Sequence, residues 1–259
     1  MSQSEQQRRE DIVCIGRMMY ERGWIAGNDG NITLRLDSQR ILSTPTGMCK
    51  GRMSPDDLIV CDNDGNKISG TRERSTEMAM HTAIYKVRPD IGGVVHAHPP
   101  TATGFAVAGR ALNLGIMPEL IVTLGSVPLA EYGLPGTHAL VEGMLPFIPK
   151  FDAILLANHG AVAYGSDVFA AFGRMETVEH LAKITLVAES LGGPKVLPRV
   201  EVEKLFASRA RYAANAPNRF EPGNPITAEE IPDASEKLEI TRQQLIALVE
   251  EALRVRGAY

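Results

Sequence analysis

His96-Ala97-His98 places two imidazoles two residues apart at the end of an apolar run, Ile91 to His98, that Pro99-Pro100 halts. Side chains two apart on a strand project from one face, so both rings can reach a single metal ion. Two imidazoles at this spacing suit zinc, whose catalytic sites take three protein ligands and leave one position open. A third donor stands at His159, after a second apolar run, Phe151 to Ala157, and before Gly160, where the chain can bend sharply. An Asn-His-Gly turn by itself serves the backbone as often as chemistry. Three histidines at strand ends together favour a metal site built on all of them. Glu77 is the next candidate, because Ser75-Thr76-Glu77 opens a helix expected to run to Val87, with Ser75 as its N-cap and the carboxylate in its first turn. His81, four residues on, shares the face of Glu77 and reads as a core histidine or one that supports the site from behind. His138 and His180 lie in predicted helices without partners at metal spacing and read as surface or core residues.

Ser75 and Thr76 also offer hydroxyls and free N–H groups at a helix start, a ready anion site. Two Gly-rich turns, Gly27-Asn-Asp-Gly-Asn31 and Thr44-Pro-Thr-Gly47, can add backbone N–H groups to it. Neither is a Walker loop or a dinucleotide fingerprint, since G-x-G-x-x-G and G-K-[ST] are missing.

The elements that must carry these residues follow from periodicity. Ile12, Val13, Ile15, Met18 and Met19 mark a core-facing helix over 5–23 that stops at Gly23. Asn31–Leu36 and Arg40–Ser43 predict a hairpin, and Leu58–Cys61 a strand ending in the turn Asp62-Asn-Asp-Gly65. Strands at 91–98 and 151–157 and helices at 101–109, 137–146 and 167–191 complete the body. Hairpins mixed with helices favour a three-layer α/β/α fold with a mixed, largely antiparallel sheet over a doubly wound one.

The 259 residues carry 27 Lys+Arg against 31 Asp+Glu, a net charge of −4 that excludes a general nucleic-acid binder. No apolar run approaches a membrane span, and the N-terminus is polar where a signal peptide would be apolar. Three cysteines in no metal spacing read as reduced thiols, so a cytoplasmic location is expected. The tail changes character: 213–239 is a predicted linker carrying Pro217, Pro222, Pro225 and Pro232. A helix is predicted at 240–257, with a capping box at Thr241 and Gln244 and an apolar face of Leu245, Leu248, Val249, Ala252 and Leu253. Residues 1–212 then form the main domain.

Five strings in order, Gly30-Asn31 before Ile-Thr-Leu-Arg, Thr44-Pro-Thr-Gly47, Ser75-Thr-Glu77, Val95-His-Ala-His98 and Leu156-Ala-Asn-His-Gly160, resemble the class II aldolase and adducin head-domain family over about residues 8–212. Its best-known enzymes are the fuculose-phosphate and rhamnulose-phosphate aldolases. The resemblance implies zinc on His96, His98 and His159. It implies Glu77 as acid/base and resting ligand, and phosphate contacts from Gly30, Asn31, Thr46, Gly47, Ser75 and Thr76. It implies zinc-dependent cleavage of L-fuculose 1-phosphate or L-rhamnulose 1-phosphate to dihydroxyacetone phosphate and L-lactaldehyde. Related sequences act on 5-deoxyribulose or methylthioribulose phosphates, decarboxylate or dehydrate, while adducin-type modules lack the metal histidines. A tyrosine expected after the H-x-H strand is replaced by Ile116-Met-Pro-Glu-Leu120, which leaves Glu119 or Tyr132 as the second acid. The resemblance further implies a homotetramer with active sites at subunit interfaces. The tail resembles the encapsulation peptides of bacterial microcompartment cargo, which implies shell or cargo partners for 240–257; packing on its own tetramer is the alternative.

Overall fold

The computed structural model describes residues 4–209, 224–231, 243 and 246. The chain divides into two units, Met1–Ala228 and Glu229–Tyr259. Gln243 and Ile246 of the second unit are helical, and the remainder of the predicted capping box, staple and apolar face lies outside the described residues. The first unit holds an eight-stranded sheet: β1 (Asn31–Arg35), β2 (Arg40–Ser43), β3 (Ile59–Asp62), β4 (Lys67–Ser69), β5 (Gly93–Ala97), β6 (Leu129–Ala130), β7 (Ala153–Leu156) and β8 (Gly160–Gly165). Their order is β4-β3-β2-β1-β5-β8-β7-β6, with the β6–β7 pair parallel and every other pair antiparallel. The expected mixed, largely antiparallel sheet is therefore present.

Side-chain alternation on the central strands feeds two separate cores. Val95, Ala153, Leu155, Ala161 and Ala163 join Ile12, Ile15 and Met19 of α1 (Glu5–Glu21), Phe105 of α3 (Pro100–Val107), Leu120 of α4 (Pro118–Thr123) and the buried stripe of α6 (Val168–Ser190). Val94, Ile154, Leu156, Val162 and Tyr164 turn the other way, onto α2 (Met78–Val87) and α5 (His138–Met144). The helix α7 (Arg199–Ser208) buries Val202.

Helix ends follow local chemistry. Ser4 caps α1 by accepting from Gln7 N, Asp167 caps α6 by accepting from Ala170 N, and α1 stops before Gly23, whose φ is 69°. The buried Glu179 of α6 accepts from the N–H groups of Thr101 and Ala102 at 3.3 and 2.9 Å, so a carboxylate from one helix caps the start of α3.

Three differences from the sequence reading stand out. The helix expected from Ser75 begins at Met78, because Ser75 Oγ accepts from Glu77 N at 3.2 Å and residues 75–77 form a turn ahead of it. Strand β8 and the helices α4 and α7 went unread: four of the six residues of β8 are Gly or Ala, α4 begins at Pro118 and α7 follows Pro198, prolines that read as loop signals. Within the expected linker, residues 224–228 are part of the first unit. Ile226 N donates to Asn113 O at 2.8 Å, Gly115 N donates to Ile226 O at 2.9 Å, and Thr227 is buried.

Candidate metal centre

Strand register decides which side chains meet. Asn31 of β1 pairs with His96 of β5, and His96 pairs with Val162 of β8, so the histidine sits mid-sheet with its ring on the α2 face. His98 lies just past the strand, tied by its backbone N–H to Trp24 O at 2.9 Å. His159 sits in the tight β7–β8 connection, where Asn158 adopts φ 55°, a left-handed value that asparagine tolerates better than most residues. Gly160 has no substitute: a Cβ there would lie 2.5 Å from His98 Cδ2 and 2.6 Å from Ala97 O. Gly30 is equally constrained, with φ 69° and a Cβ position 2.9 Å from His96 O.

His96, His98 and His159 converge, each offering a ring nitrogen within 4.8 Å of the others. His98 Nε2 lies 3.2 Å from His96 Nε2, Glu77 Oε2 lies 3.4 Å from His96 Nε2, and Glu77 Oε1 lies 3.1 Å from His159 Nε2. Four donors bound tetrahedrally to zinc at about 2.0–2.1 Å would be spaced about 3.3–3.4 Å apart, close to these values. Tautomers point the same way. His96 Nδ1 donates to Ala161 O at 2.9 Å, and His98 Nδ1 faces Asp29 Oδ2 at 3.5 Å, which leaves both Nε2 lone pairs aimed at each other. Two facing lone pairs repel unless a cation lies between them. His159 Nδ1 is buried without a hydrogen-bond partner, an uncommon cost in a native interior. The donor set therefore fits a divalent metal.

Electrostatics agree. Burial pushes the imidazoles of His96 and His98 down, which keeps them neutral near pH 7, the form a ligand requires. Burial would raise the Glu77 carboxyl, but the neighbouring histidines and the hydrogen bond from Asn31 outweigh it and hold the group ionised.

The phosphate candidates divide. Thr46 N donates to Glu73 O at 3.0 Å and Pro45 bridges Arg74, so the Thr44–Gly47 turn lies beside Ser75 and Thr76. Thr46, Gly47 and Thr76 are exposed, and the Cβ direction of Gly47 is open. Asn31 differs from the reading: it is buried, and its amide is spent on Glu77, Ser75 and His81. Glu119 lies in the first turn of α4 beside a cleft of about 390 Å³ that it shares with Arg22, Trp24 and Lys183, and no hydrogen bond or ion pair joins it to the histidines among the described residues. Tyr132 is exposed after β6. Asp29, Thr33 and Tyr85 went unread as site residues. Thr33 carried a usable signal, since it lies two residues from Asn31 on one strand face.

The model of the Class II Aldolase and Adducin N-terminal domain matches residues 10–186. The chain belongs to the class II aldolase and adducin family. This class II aldolase homologue is 35% identical over 202 residues to a 5-deoxy-D-ribulose 1-phosphate aldolase of Bacillus thuringiensis serovar kurstaki, covering 77% of this chain and 94% of that protein. It is 34% identical over 197 residues to a 3-oxo-tetronate 4-phosphate decarboxylase of Pectobacterium atrosepticum, covering 74% and 88% of the two chains. Among solved structures, an L-fuculose 1-phosphate aldolase superposes with a TM-score of 0.73 at 31% identity, over 80% of this chain and 97% of the other. The class II aldolase fold is thus established, and the protein is a metal-dependent lyase of that class.

Proposed function

We propose that the protein cleaves a deoxy-ketose 1-phosphate by a retro-aldol reaction, giving dihydroxyacetone phosphate and a short aldehyde, with zinc held by His96, His98, His159 and, in the resting site, Glu77. The observation that carries this reading is the convergence of three imidazoles and one ionised carboxylate at tetrahedral spacing. L-fuculose 1-phosphate and L-rhamnulose 1-phosphate, which would release L-lactaldehyde, are the substrates proposed first. 5-Deoxy-D-ribulose 1-phosphate, named for the Bacillus relative, shares the reacting carbons and would release acetaldehyde.

When bound, the metal supplies Lewis-acid stabilisation of the negative charge that develops on the substrate oxygens. In cleavage the hydroxyl of the breaking bond loses a proton and the carbon beside the ketone gains one; Glu77 exchanges the proton at that carbon, its ionised state being the form that accepts it in the reverse, bond-forming direction. Ser75, Thr76, Thr46 and Gly47 hold the phosphate. Arg74 lines the cleft that borders Ser75 and Thr76 and adds positive charge there, while Lys86 of the same cleft is paired with Asp64 at 2.7 Å. Phosphate binding remote from the reacting bond fixes the carbon skeleton against Glu77. Glu119 is proposed as the aldehyde-side group, taking the hydroxyl proton in cleavage and returning it in the reverse direction; since nothing joins it to the histidines among the described residues of one chain, it would act across a subunit interface of the proposed homotetramer.

A decarboxylase is the second reading, favoured by the Pectobacterium relative at nearly the same identity. Incubating purified protein with the three ketose phosphates and with 3-oxo-tetronate 4-phosphate separates the two. Dihydroxyacetone phosphate from a ketose phosphate supports the aldolase; carbon dioxide from the oxo acid, with no dihydroxyacetone phosphate from any ketose, overturns it.

A further inference from the structure

Behind Glu77, on the side away from His159, lies a chain of polar groups that no apolar core needs. Tyr85 Oη is 3.0 Å from Thr33 Oγ1, Thr33 Oγ1 is 2.8 Å from His81 Nδ1, His81 Nε2 bonds Asn31 Oδ1, and Asn31 Nδ2 is 2.7 Å from Glu77 Oε2. Asn31, Thr33, His81 and Tyr85 are each at most 4% exposed. Two strand positions on one face of β1 and two helix positions one turn apart on α2 supply them, so sheet and helix meet through hydrogen bonds here.

We propose that His81 is a positioning residue, which, with its tautomer set from the carboxylate end of the chain and its Nδ1 held by the Thr33 hydroxyl, fixes Asn31 and through it Glu77; the consequence for metal binding rests on the metal-centre reading above. The polarity of the chain has one solution. An ionised carboxylate only accepts, so Asn31 must present its NH2 to Glu77 and its carbonyl to His81. His81 must then carry its proton on Nε2, leaving a lone pair on Nδ1. The Thr33 hydroxyl donates to that lone pair and in turn accepts from the Tyr85 hydroxyl. Burial keeps the His81 imidazole neutral, pushed down to about 4, as this assignment requires. The opposite tautomer would turn the Asn31 carbonyl toward the Glu77 carboxylate and set two acceptors against each other.

The chain commits Oε2 of Glu77 to Asn31. Oε1, with His159 Nε2 at 3.1 Å, is left as the oxygen that exchanges a proton with substrate. Fully satisfied buried networks specify one arrangement in this way. Removing such an outer partner of a metal site typically costs about 10–100-fold in metal affinity or activity.

Thr33→Val keeps the shape and removes the hydroxyl, while Thr33→Ser keeps the hydroxyl. Nitrogen-15 NMR of the metal-free full-length protein reads the His81 tautomer, and competition with a chelator reads zinc affinity. Wild type and Thr33→Ser are expected to show the Nε2–H tautomer with a hydrogen-bonded Nδ1, and Thr33→Val to lose the hydrogen-bond shift of the Nδ1 resonance. In Thr33→Val zinc affinity is expected to fall about 10–100-fold, and kcat on the substrate found above to fall by a similar factor with KM within about twofold. An Nδ1–H tautomer in wild type overturns the inference. So does wild-type zinc affinity in Thr33→Val, or a loss in Thr33→Ser as large as in Thr33→Val, which would make the effect one of packing. Wild-type protein that binds no zinc would refute the metal reading alone. In that case the wild-type tautomer still decides the chain, Nε2–H supporting it and Nδ1–H ending it.

Discussion

A histidine binds a metal only when neutral, and at this site burial enforces that state on His96 and His98 before any metal arrives. The same physics makes His81 a source of acid sensitivity. Its imidazole titrates near 6.5 in the unfolded chain and near 4 in the fold, so below pH 6.5 the unfolded state binds the extra proton. Its contribution is complete above pH 6.5 and declines as pH falls toward 4, by on the order of 3 kcal/mol. Urea denaturation of the metal-free protein from pH 7.5 to 4.5 should show this loss, and His81→Gln should flatten that part of the curve. At this scale the three histidines were legible from type and spacing, and Glu77 from its place at a helix start beside Ser75 and Thr76 together with the family resemblance. The roles of Asn31, Thr33 and Asp29 were not, since they depend on which rotamer meets which partner across the sheet.

Among the elements, β5, the β7–β8 turn and the start of α2 do the positioning, and the sheet brings them together by register. Gly160→Ala tests that placement: the added Cβ would strike Ala97 O and the His98 ring, so β8 must shift away from β5. Zinc affinity is expected to fall at least about tenfold, by analogy with lost support for a metal ligand, with far-UV circular dichroism retained. A second anchor lies away from the site. Asp152, fully buried before β7, meets Arg88 at the end of α2 at 3.1 Å and Arg174 of α6 at 3.0 Å, pinning both helix layers to one strand. Asp152→Ala leaves two arginines facing a buried gap and should cost about 3–5 kcal/mol in denaturant unfolding. Strands with clear alternation and helices with clear stripes were readable from sequence. Strand β8 was hidden because Val162 and Tyr164, its β-branched and aromatic residues, are diluted by Gly160, Ala161, Ala163 and Gly165, and the two glycines are what let His98 and α6 approach closely.

For the whole molecule, family membership and the eight-stranded sheet agree with the resemblance seen in five short strings. The expected boundary near residue 212 followed the end of the family resemblance and the proline-rich composition beyond it, neither of which can reveal that Ile226 would pair with Leu114. Truncation after Ala228 is expected to leave cleavage intact, whereas truncation after Tyr212 should lower the melting temperature by removing the Ile226 pairing. The proposed role of 240–257 in docking to a microcompartment shell predicts that the longer truncation product loses co-sedimentation with shell proteins while keeping activity. Metal stoichiometry tests the central claim most directly. Wild-type protein as purified, or after zinc is added and excess removed, should hold about one divalent ion per subunit, as the one cluster of three histidines among the described residues requires. His159→Ala should lose that ion and the lyase activity together. Metal-free wild-type protein that still cleaves its substrate, or His159→Ala that keeps both ion and activity, would contradict the account.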